Sequence, residues 1–449
     1  MIDKDTIPKH WEIKSLRELI QLAIGGDWGK EITYSDPGYE LAYCIRGSEI
    51  RNWEISKGMT ASLRKIKKSS IITRQLEVGD ILVEISGGGP EQPVGRTVLI
   101  DKATLSFEKD IPKICTNFLR VIRPLKENDS KFLNYYLRFF YSTGEIIKYQ
   151  GGSNNLRNLK FPDYIKINVP LPPLLEQQQI VSKIEELFSE LGKGKQQLGM
   201  VKLQLKTYRQ SVLKWAFEGR FTLTKGHDLS GKELPVGWKS YKLKDITLDK
   251  EGLRRGPFGS AIKKDFFVPV GYKVYEQGNA INNDPYRGKY FINEDKYNEL
   301  KNFKVIPNDL IISCSGVTLG RICEIPKDAK AGIINQALLR IRLRNNIILN
   351  KYFIQHFRTA FFQKKIFDQS QGTAMPNLVG IKDFKEIEML IPSIEEQQHI
   401  ISEIETRFSV CDKMEETIEN CLQQSESLRQ SILKQAFEGK LVKPDENYN

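Results

Sequence analysis

The chain has no run of about 18 apolar residues, so no segment reads as a membrane-crossing helix. Its first residues, Met1-Ile2-Asp3-Lys4-Asp5, lack the apolar centre of a signal peptide, and the expected place is the cytoplasm, away from any membrane. Histidine is scarce: His10, His227, His356 and His399 are too dispersed for a metal cluster. The cysteines, at 44, 115, 314, 323, 411 and 421, form no C-x-x-C pair, which argues for reduced, partly buried thiols rather than a zinc site. A phosphate-cradling G-x-x-x-x-G-K-S/T loop is missing, which argues against ATP hydrolysis; Gly192-Lys193-Gly194-Lys195 comes nearest and follows no strand. Neither a dinucleotide-binding glycine fingerprint nor an Asn-Pro-Pro-aromatic tetrapeptide occurs, and no pairing of carboxylates suggests a nuclease. These absences predict a chain without catalytic, metal or cofactor sites.

What is present is a globular composition, 40% hydrophobic and 28% charged over 449 residues, enough for two or three domains. The net charge of +12 favours a polyanionic partner, and its distribution is more informative than its size. Counting Lys and Arg against Asp and Glu gives 26 and 21 over residues 1–171, and 8 and 5 over 172–222. The same count gives 28 and 18 over residues 223–391, and 6 and 12 over 392–449. Most of the basic excess therefore sits in two large segments, and the last segment is acidic.

An internal repeat organises the chain. Pro172-Pro173-Leu174-Leu175-Glu176-Gln177-Gln178-Gln179-Ile180 matches Pro392-Ser393-Ile394-Glu395-Glu396-Gln397-Gln398-His399-Ile400. Leu213-Lys214-Trp215-Ala216-Phe217-Glu218-Gly219 matches Leu433-Lys434-Gln435-Ala436-Phe437-Glu438-Gly439 at the same ungapped offset of 220. Preceding segments match more loosely. Trp11 corresponds to Trp238, Arg46-Gly47-Ser48-Glu49-Ile50 to Gln277-Gly278-Asn279-Ala280-Ile281, and Gly79-Asp80-Ile81-Leu82 to Asn308-Asp309-Leu310-Ile311. Gly95-Arg96 corresponds to Gly320-Arg321. The order is arm, long helix, arm, long helix.

Apolar or small residues at 180, 184, 187, 191, 194, 198, 201, 205, 208, 212 and 215 step by four and three, a heptad seam; the second copy runs from Ile400 to Ile432 in the same register. Gly192, Gly194 and Gly199 weaken the first helix locally, while Gly219 and Gly439 stop the two helices. Opposite net charges favour packing of the helices on each other; packing of each on its own arm is the other reading. The arms read as mixed and strand-rich, with turn-then-strand signals at 78–85 and 308–313, further strands at 98–100 and 338–343, and short amphipathic helices at 132–141 and 352–362.

Polar loops recur in both arms. Arg254-Arg255-Gly256-Pro257-Phe258-Gly259-Ser260, followed by Lys263-Lys264, holds the place of Gly25-Gly26-Asp27-Trp28-Gly29-Lys30. Glycine lets a backbone approach a surface, and arginine binds guanine edges or phosphates; a plain tight turn is the alternative. Arg64-Lys65-Ile66-Lys67-Lys68 suits phosphates, or is a solvated loop. Gln150 to Asn155, with Asn154 and Asn155, and Gln369 to Thr373, with Gln371 and Thr373, offer groups that read adenine, or simply connect arm to helix. The candidate DNA-contacting set is therefore Lys30, Arg46, Arg64, Lys65, Lys67, Lys68, Arg96, Asn154 and Asn155 in the first arm. In the second it is Arg254, Arg255, Phe258, Ser260, Lys263, Lys264, Gln277, Asn279, Arg321, Gln371 and Thr373.

The twin P-x-x-x-E-Q-Q-x-I starts, the twin Leu-Lys-x-Ala-Phe-Glu-Gly ends, Pro235-Val236-Gly237-Trp238 and Arg255-Gly256-Pro257-Phe258-Gly259-Ser260 resemble the specificity subunits of type I restriction–modification systems. The first arm departs, with Pro8-Lys9-His10-Trp11 and no Gly-Pro-Phe-Gly-Ser. The resemblance implies an α+β protein: two α/β target-recognition domains separated by two long helices in an antiparallel coiled coil with pseudo-two-fold symmetry. Its expected divisions are residues 1–171, a spacer at 172–222, residues 223–391, a second spacer at 392–440 and a tail at 441–449. The implied function is recognition of a split, asymmetric double-stranded DNA site without catalysis. Two modification subunits would supply adenine methylation, and restriction subunits ATP-driven translocation and cleavage. Two other readings are the recognition half of a split or fused methyltransferase or endonuclease, and a coiled-coil adaptor that reads no sequence.

Overall fold

A computed structural model describes residues 7–89, 92–152, 156–221, 237–258, 261–314, 316, 318–367 and 378–442. The chain divides into two compact units, Met1–Leu198 with Glu419–Asn449, and Gly199–Ile418. Each unit thus holds one arm and a stretch of both long helices.

In the first unit, a turn at Gly79 (φ +96°) launches the strand Ile81–Glu84, and Asp80 fixes that turn by accepting from the Glu77 backbone at 2.7 Å while pairing with Arg123 at 2.6 Å. That strand lies inside a four-stranded antiparallel sheet, in the order Ile20–Gly25, Leu119–Pro124, Ile81–Glu84, Thr97–Leu99. A second sheet runs Ser62–Lys67, Tyr39–Ile45, Lys113–Cys115, its last pair parallel.

The second unit repeats this plan. Asn308 (φ +72°) and Asp309 make the turn, Asp309 accepting from the Ile306 backbone at 2.8 Å and pairing with Arg342 at 2.7 Å. The four-stranded sheet is Leu253–Arg255, Leu338–Ile341, Leu310–Ser313, Ile322–Glu324. Its second sheet has five strands, with Tyr272–Tyr275 parallel to Gly332–Ile334. In each unit a two-stranded ribbon joins the start of the arm to its end: Glu12–Ser15 with Asn168–Leu171, and Lys239–Lys242 with Glu388–Ile391.

The long helices are Leu174–Phe217 and Ile394–Phe437, 44 residues each. Both expected modes of packing occur. The twin E-Q-Q motif ties each helix start to the arm before it. Glu176 accepts from Trp11 Nε1 at 3.0 Å and meets His10 at 2.8 Å, and Glu396 accepts from Trp238 Nε1 at 2.8 Å. Gln177 accepts from the Asp129 backbone at 2.9 Å, and Gln397 from the Leu349 backbone at 2.8 Å. Both glutamine amides also donate to the carbonyl of the proline that opens the motif, Pro172 or Pro392. Buried polar groups need such partners, so the motif is a bolt rather than a surface signal.

The helices also pair with each other, antiparallel. In the first unit Phe188 lies under Arg429, and Lys195 reaches Glu426 at 2.9 Å. In the second unit Arg209 reaches Asp412 at 2.6 Å and Glu415 at 3.2 Å. In these ion pairs the first helix supplies the cations and the second the anions. Each helix ends in the core of the unit opposite to the one where it began. Phe217 packs on Tyr352 and His356 at centroid distances of 5.1 and 4.7 Å, and Phe437 on Phe132, Tyr136 and Phe139 at 5.3, 5.2 and 5.5 Å. Both ends close with left-handed glycine caps. Arg220 N donates to Trp215 O at 3.0 Å and Lys440 N to Gln435 O at 2.8 Å.

Two expectations need correction. Val201, Tyr208 and Trp215, on the heptad seam by count, are exposed; Leu205 and Val212 of the same seam are buried, and Arg209 and Ala216, off the count, turn inward with them. An α-helix turns every 3.6 residues, so a strict 3.5 count drifts by about 20° per heptad. Second, the helix expected over 352–362 is two helices, Asn350–Phe357 and Ala360–Ile366; the Thr359 hydroxyl caps the second by accepting from the Phe362 backbone. Gly192, Gly194 and Gly199 lie within the continuous helix Leu174–Phe217.

Candidate nucleic-acid interface

The glycine-rich loops are equivalent, as expected. The strand Ile20–Gly25 pairs Gly25 with Arg120, and Leu253–Arg255 pairs Arg255 with Leu339. The next residue, Gly26 or Gly256, passes so close to a neighbouring loop that a Cβ would sit 2.0 Å from the Cys115 carbonyl oxygen or 1.8 Å from that of Asn335. Only glycine fits at that crossing. The loop crossed, Thr116-Asn117-Phe118 or Asn335-Gln336-Ala337, escaped the sequence reading. Asn117, Phe118 and Gln336 are exposed there. An amide or aromatic at the turn between two strands was the available signal.

In the first unit these parts line one cleft. Trp28 comes from the glycine loop, Arg46 and Arg51 from the short-helix region at the two ends of Gly47–Ile50, Gln92 and Arg96 from the stretch before Thr97–Leu99, and Asn117 and Phe118 from the crossed loop. Two expected residues, Arg46 and Arg96, are thus brought together. Arg46 pairs with Glu49 at 2.6 Å and Arg96 with Glu84 at 2.6 Å, and these hydrogen-bonded carboxylates raise both arginine pKa values.

The equivalences sharpen one alignment. Ile45 pairs with Cys115 and Tyr275 with Ile334, which sets Arg46 against Glu276 and Glu49 against Asn279, one residue off the sequence match. The caps agree: Arg46 N donates to the Glu49 side chain at 2.6 Å and Glu276 N to Asn279 Oδ1 at 2.8 Å. Arg96 and Arg321 do correspond, since Glu84 N donates to Arg96 O and Ser313 N to Arg321 O, both at 2.9 Å.

Both units therefore carry one scaffold with different side chains on matching loops. A model of the type I restriction modification DNA specificity domain matches residues 8–198 and again 235–424. The chain belongs to that family. It is 24% identical over 98% of its length to the type I restriction enzyme StySPI specificity subunit of Salmonella potsdam, covering 91% of that protein. It is 25% identical over 97% of its length to the EcoKI specificity subunit of Escherichia coli strain K12, covering 90% of it. A solved chain from work on complex assembly and conformational transition of the type I R-M system superposes with a TM-score of 0.68 over 97% of this chain and 99% of its own, at 17% identity. The HsdS subunit of Thermoanaerobacter tengcongensis superposes at 0.55 over 97% and 98%, at 18% identity. These two likenesses show the fold. The chain is a DNA sequence-specificity subunit of the type I restriction–modification class.

The remaining candidates of this specificity subunit separate into accessible and internal groups. Lys30, Lys67, Lys68, Lys263, Lys264 and Arg321 are exposed, and Phe258 is 91% exposed at its loop. Lys65 bridges Lys30 through backbone hydrogen bonds of 2.8 and 3.0 Å, and Lys68 pairs with Glu40 at 3.4 Å. Arg254 and Arg255 are half-buried on their strand. Gln277 is half-buried, its Nε2 donating to the Ala337 carbonyl at 3.4 Å. Arg64 is buried: it stacks on Trp28 at 4.3 Å, donates to the Trp28 carbonyl at 3.1 Å and pairs with Glu31 at 2.5 Å. Asn279 is 1% exposed and also donates to the carbonyls of Asp284 and Arg287 at 2.9 and 2.6 Å. Both side chains are occupied inside their arms, so they hold loops in place rather than present free edges. Asn154, Asn155, Ser260, Gln371 and Thr373 lie outside the described residues.

Among the described residues, no group of His, Cys, Asp and Glu could hold a metal, and no helix is long and apolar enough to cross a membrane.

Proposed function

We propose that this specificity subunit reads a bipartite, asymmetric double-stranded DNA site, one half with each arm, and does no chemistry itself. The carrying observation is the repeat with substituted loops: Arg46 against Glu276, Glu84 against Ser313 and Asn117 against Gln336 on one strand plan. Two readers of one design and different chemistry fit two unlike half-sites. The arms are assigned to residues 1–171 and 223–391, with spacers at 172–222 and 392–440. Methyl transfer to adenine comes from two modification subunits on this reading, and translocation and cleavage from restriction subunits, all in the cytoplasm. The direct readers on this reading are Arg254, Arg255, Phe258 and Gln336 in one arm and Lys30, Arg46, Asn117 and Phe118 in the other.

The test is an exchange of residues 223–391 for those of a relative with a different site, followed by methylation mapping with a cognate modification subunit. One half-site should change and the other persist. A change in both halves, or methyl transfer by the lone chain, would refute the reading.

A further inference from the structure

A second cleft recurs in both units, where the short-helix region, the Arg96 or Arg321 turn and the next arm helix meet. In the first unit it is lined by Arg51, Arg96 and Arg138. In the second it is lined by Asn283, Arg321, Gln355 and Arg358, with Arg209 and Phe408 from the long helices. Arg138 and Arg358 correspond, because Gln177 and Gln397 bind the starts of their helices at the repeat offset.

The chemistry of the two clefts differs at matching positions. In the first unit two of the three arginines hold a carboxylate: Arg96 on Glu84 at 2.6 Å, and Arg138 on Glu54 at 2.7 Å. In the second unit the residue opposite Arg321 is Ser313, and among the described residues Arg358 reaches the Asn283 amide oxygen, at 3.3 Å. Glu84 is thus replaced by a neutral group, while Asp284, at the position of Glu54, accepts from the Tyr286 and Arg287 backbone instead. Arg358 is exposed at its surface, yet desolvation by its surroundings and the nearby Arg321 charge lower its pKa. The Gln355 amide oxygen is buried beside it without a hydrogen-bond partner. Among the described residues no carboxylate lines that cleft, so Arg321 and Arg358 share a site that an incoming anion would complete.

We propose that Arg321 and Arg358 form a phosphate clamp on the DNA backbone in the second unit, which the first unit holds closed with Glu84 and Glu54. The proposal rests on the DNA-reading function above and assigns part of its affinity. DNA phosphate is favoured over an acidic protein for two reasons. In the first unit Arg96 and Arg51 line this cleft and also the cleft with the glycine and crossed loops, so the two surfaces adjoin. The segment 223–391 also carries the larger basic excess, 28 against 18. Binding is therefore polarised, the second arm contributing more sequence-independent attraction.

The experiment uses the full chain and a labelled random-sequence duplex, because a phosphate contact is blind to sequence. Binding is measured across a salt series. Each phosphate contact adds about 0.9 to the slope of log affinity against log salt. Arg358→Gln should lower that slope by about one contact, and Arg358→Lys should retain it. Asn283→Asp, nearly isosteric, should lower it as well by supplying the carboxylate that Glu54 supplies in the first unit. Glu54→Gln should raise it by freeing Arg138. An unchanged slope in both Arg358→Gln and Asn283→Asp overturns the clamp, as does loss of binding to a modification subunit with DNA affinity intact, the signature of an acidic protein partner. Failure of the unaltered chain to bind any duplex would instead refute the DNA-reading function on which the clamp depends.

Discussion

Replacing Phe437 by alanine should destabilise the arm at the other end of the chain. The Phe437 side chain is fully buried in the first unit, in edge contact with Phe132 and Tyr136 and tilted against Phe139. Removing a buried phenylalanine typically costs about 3–5 kcal/mol, against a usual domain stability of about 5–15 kcal/mol. At about 1.4 kcal/mol per factor of ten, the lower figure already raises the opening constant by on the order of a hundredfold. Hydrogen exchange by mass spectrometry separates the units. The helix Ser130–Ser142 should lose protection by that factor in Phe437→Ala, while Asn350–Phe357 keeps its own. Phe217→Ala should do the reverse, because Phe217 packs on Tyr352 and His356. Phe437→Ala acting on the second arm, with Ser130–Ser142 unchanged, would refute the assignment of each helix end to the core opposite its start.

His356 is wholly buried among aromatic rings, and burial lowers its pKa from 6.5 to about 3. Between those values the unfolded chain takes up a proton that the folded chain refuses, so stability falls as pH drops below about 6.5, by up to about 1.4 kcal/mol per pH unit. Urea unfolding at pH 7.5 and 5.5 should show a steeper loss in the wild type than in His356→Phe; parallel losses would contradict this. Gly26→Ala and Gly256→Ala place a Cβ about 2 Å from a carbonyl oxygen, so each should disturb DNA recognition by its own arm and leave the other half-site intact in methylation mapping. Glu176→Ala leaves Trp11 Nε1 buried without its acceptor, a loss of about 1–3 kcal/mol expected as a lower thermal midpoint. If the 44-residue helices act as a spacer, the unread gap between half-sites has one length, since each added base pair moves a half-site about 3.4 Å and turns it by roughly 35°. Ile184→Pro should then relax that gap, and equal methylation across gap lengths by the unaltered chain would dismiss the spacer idea.

The sequence by itself determined the architecture. Two copies of one pattern, each ending in a long amphipathic run between proline and glycine stops, leave few alternatives to two arms and two helices, because periodicity and chain-stop chemistry are local properties. The same local rules placed the strands after Gly79 and Asn308 and paired the Gly26 and Gly256 loops. Only the tertiary structure decided which side chains are available. Arg64 and Asn279 look like ligand groups in sequence, yet Trp28 and Glu31, and the carbonyls of Asp284 and Arg287, already occupy them. Partners 33 and 36 residues away are invisible to any spacing rule. Asn117 and Gln336 were missed for the converse reason, as their prominence comes from a strand crossing that a glycine elsewhere in the chain permits. The unequal clefts of the two arms likewise depend on pairs such as Arg138 with Glu54, 84 residues apart, where charge compensation is settled by folding and not by composition.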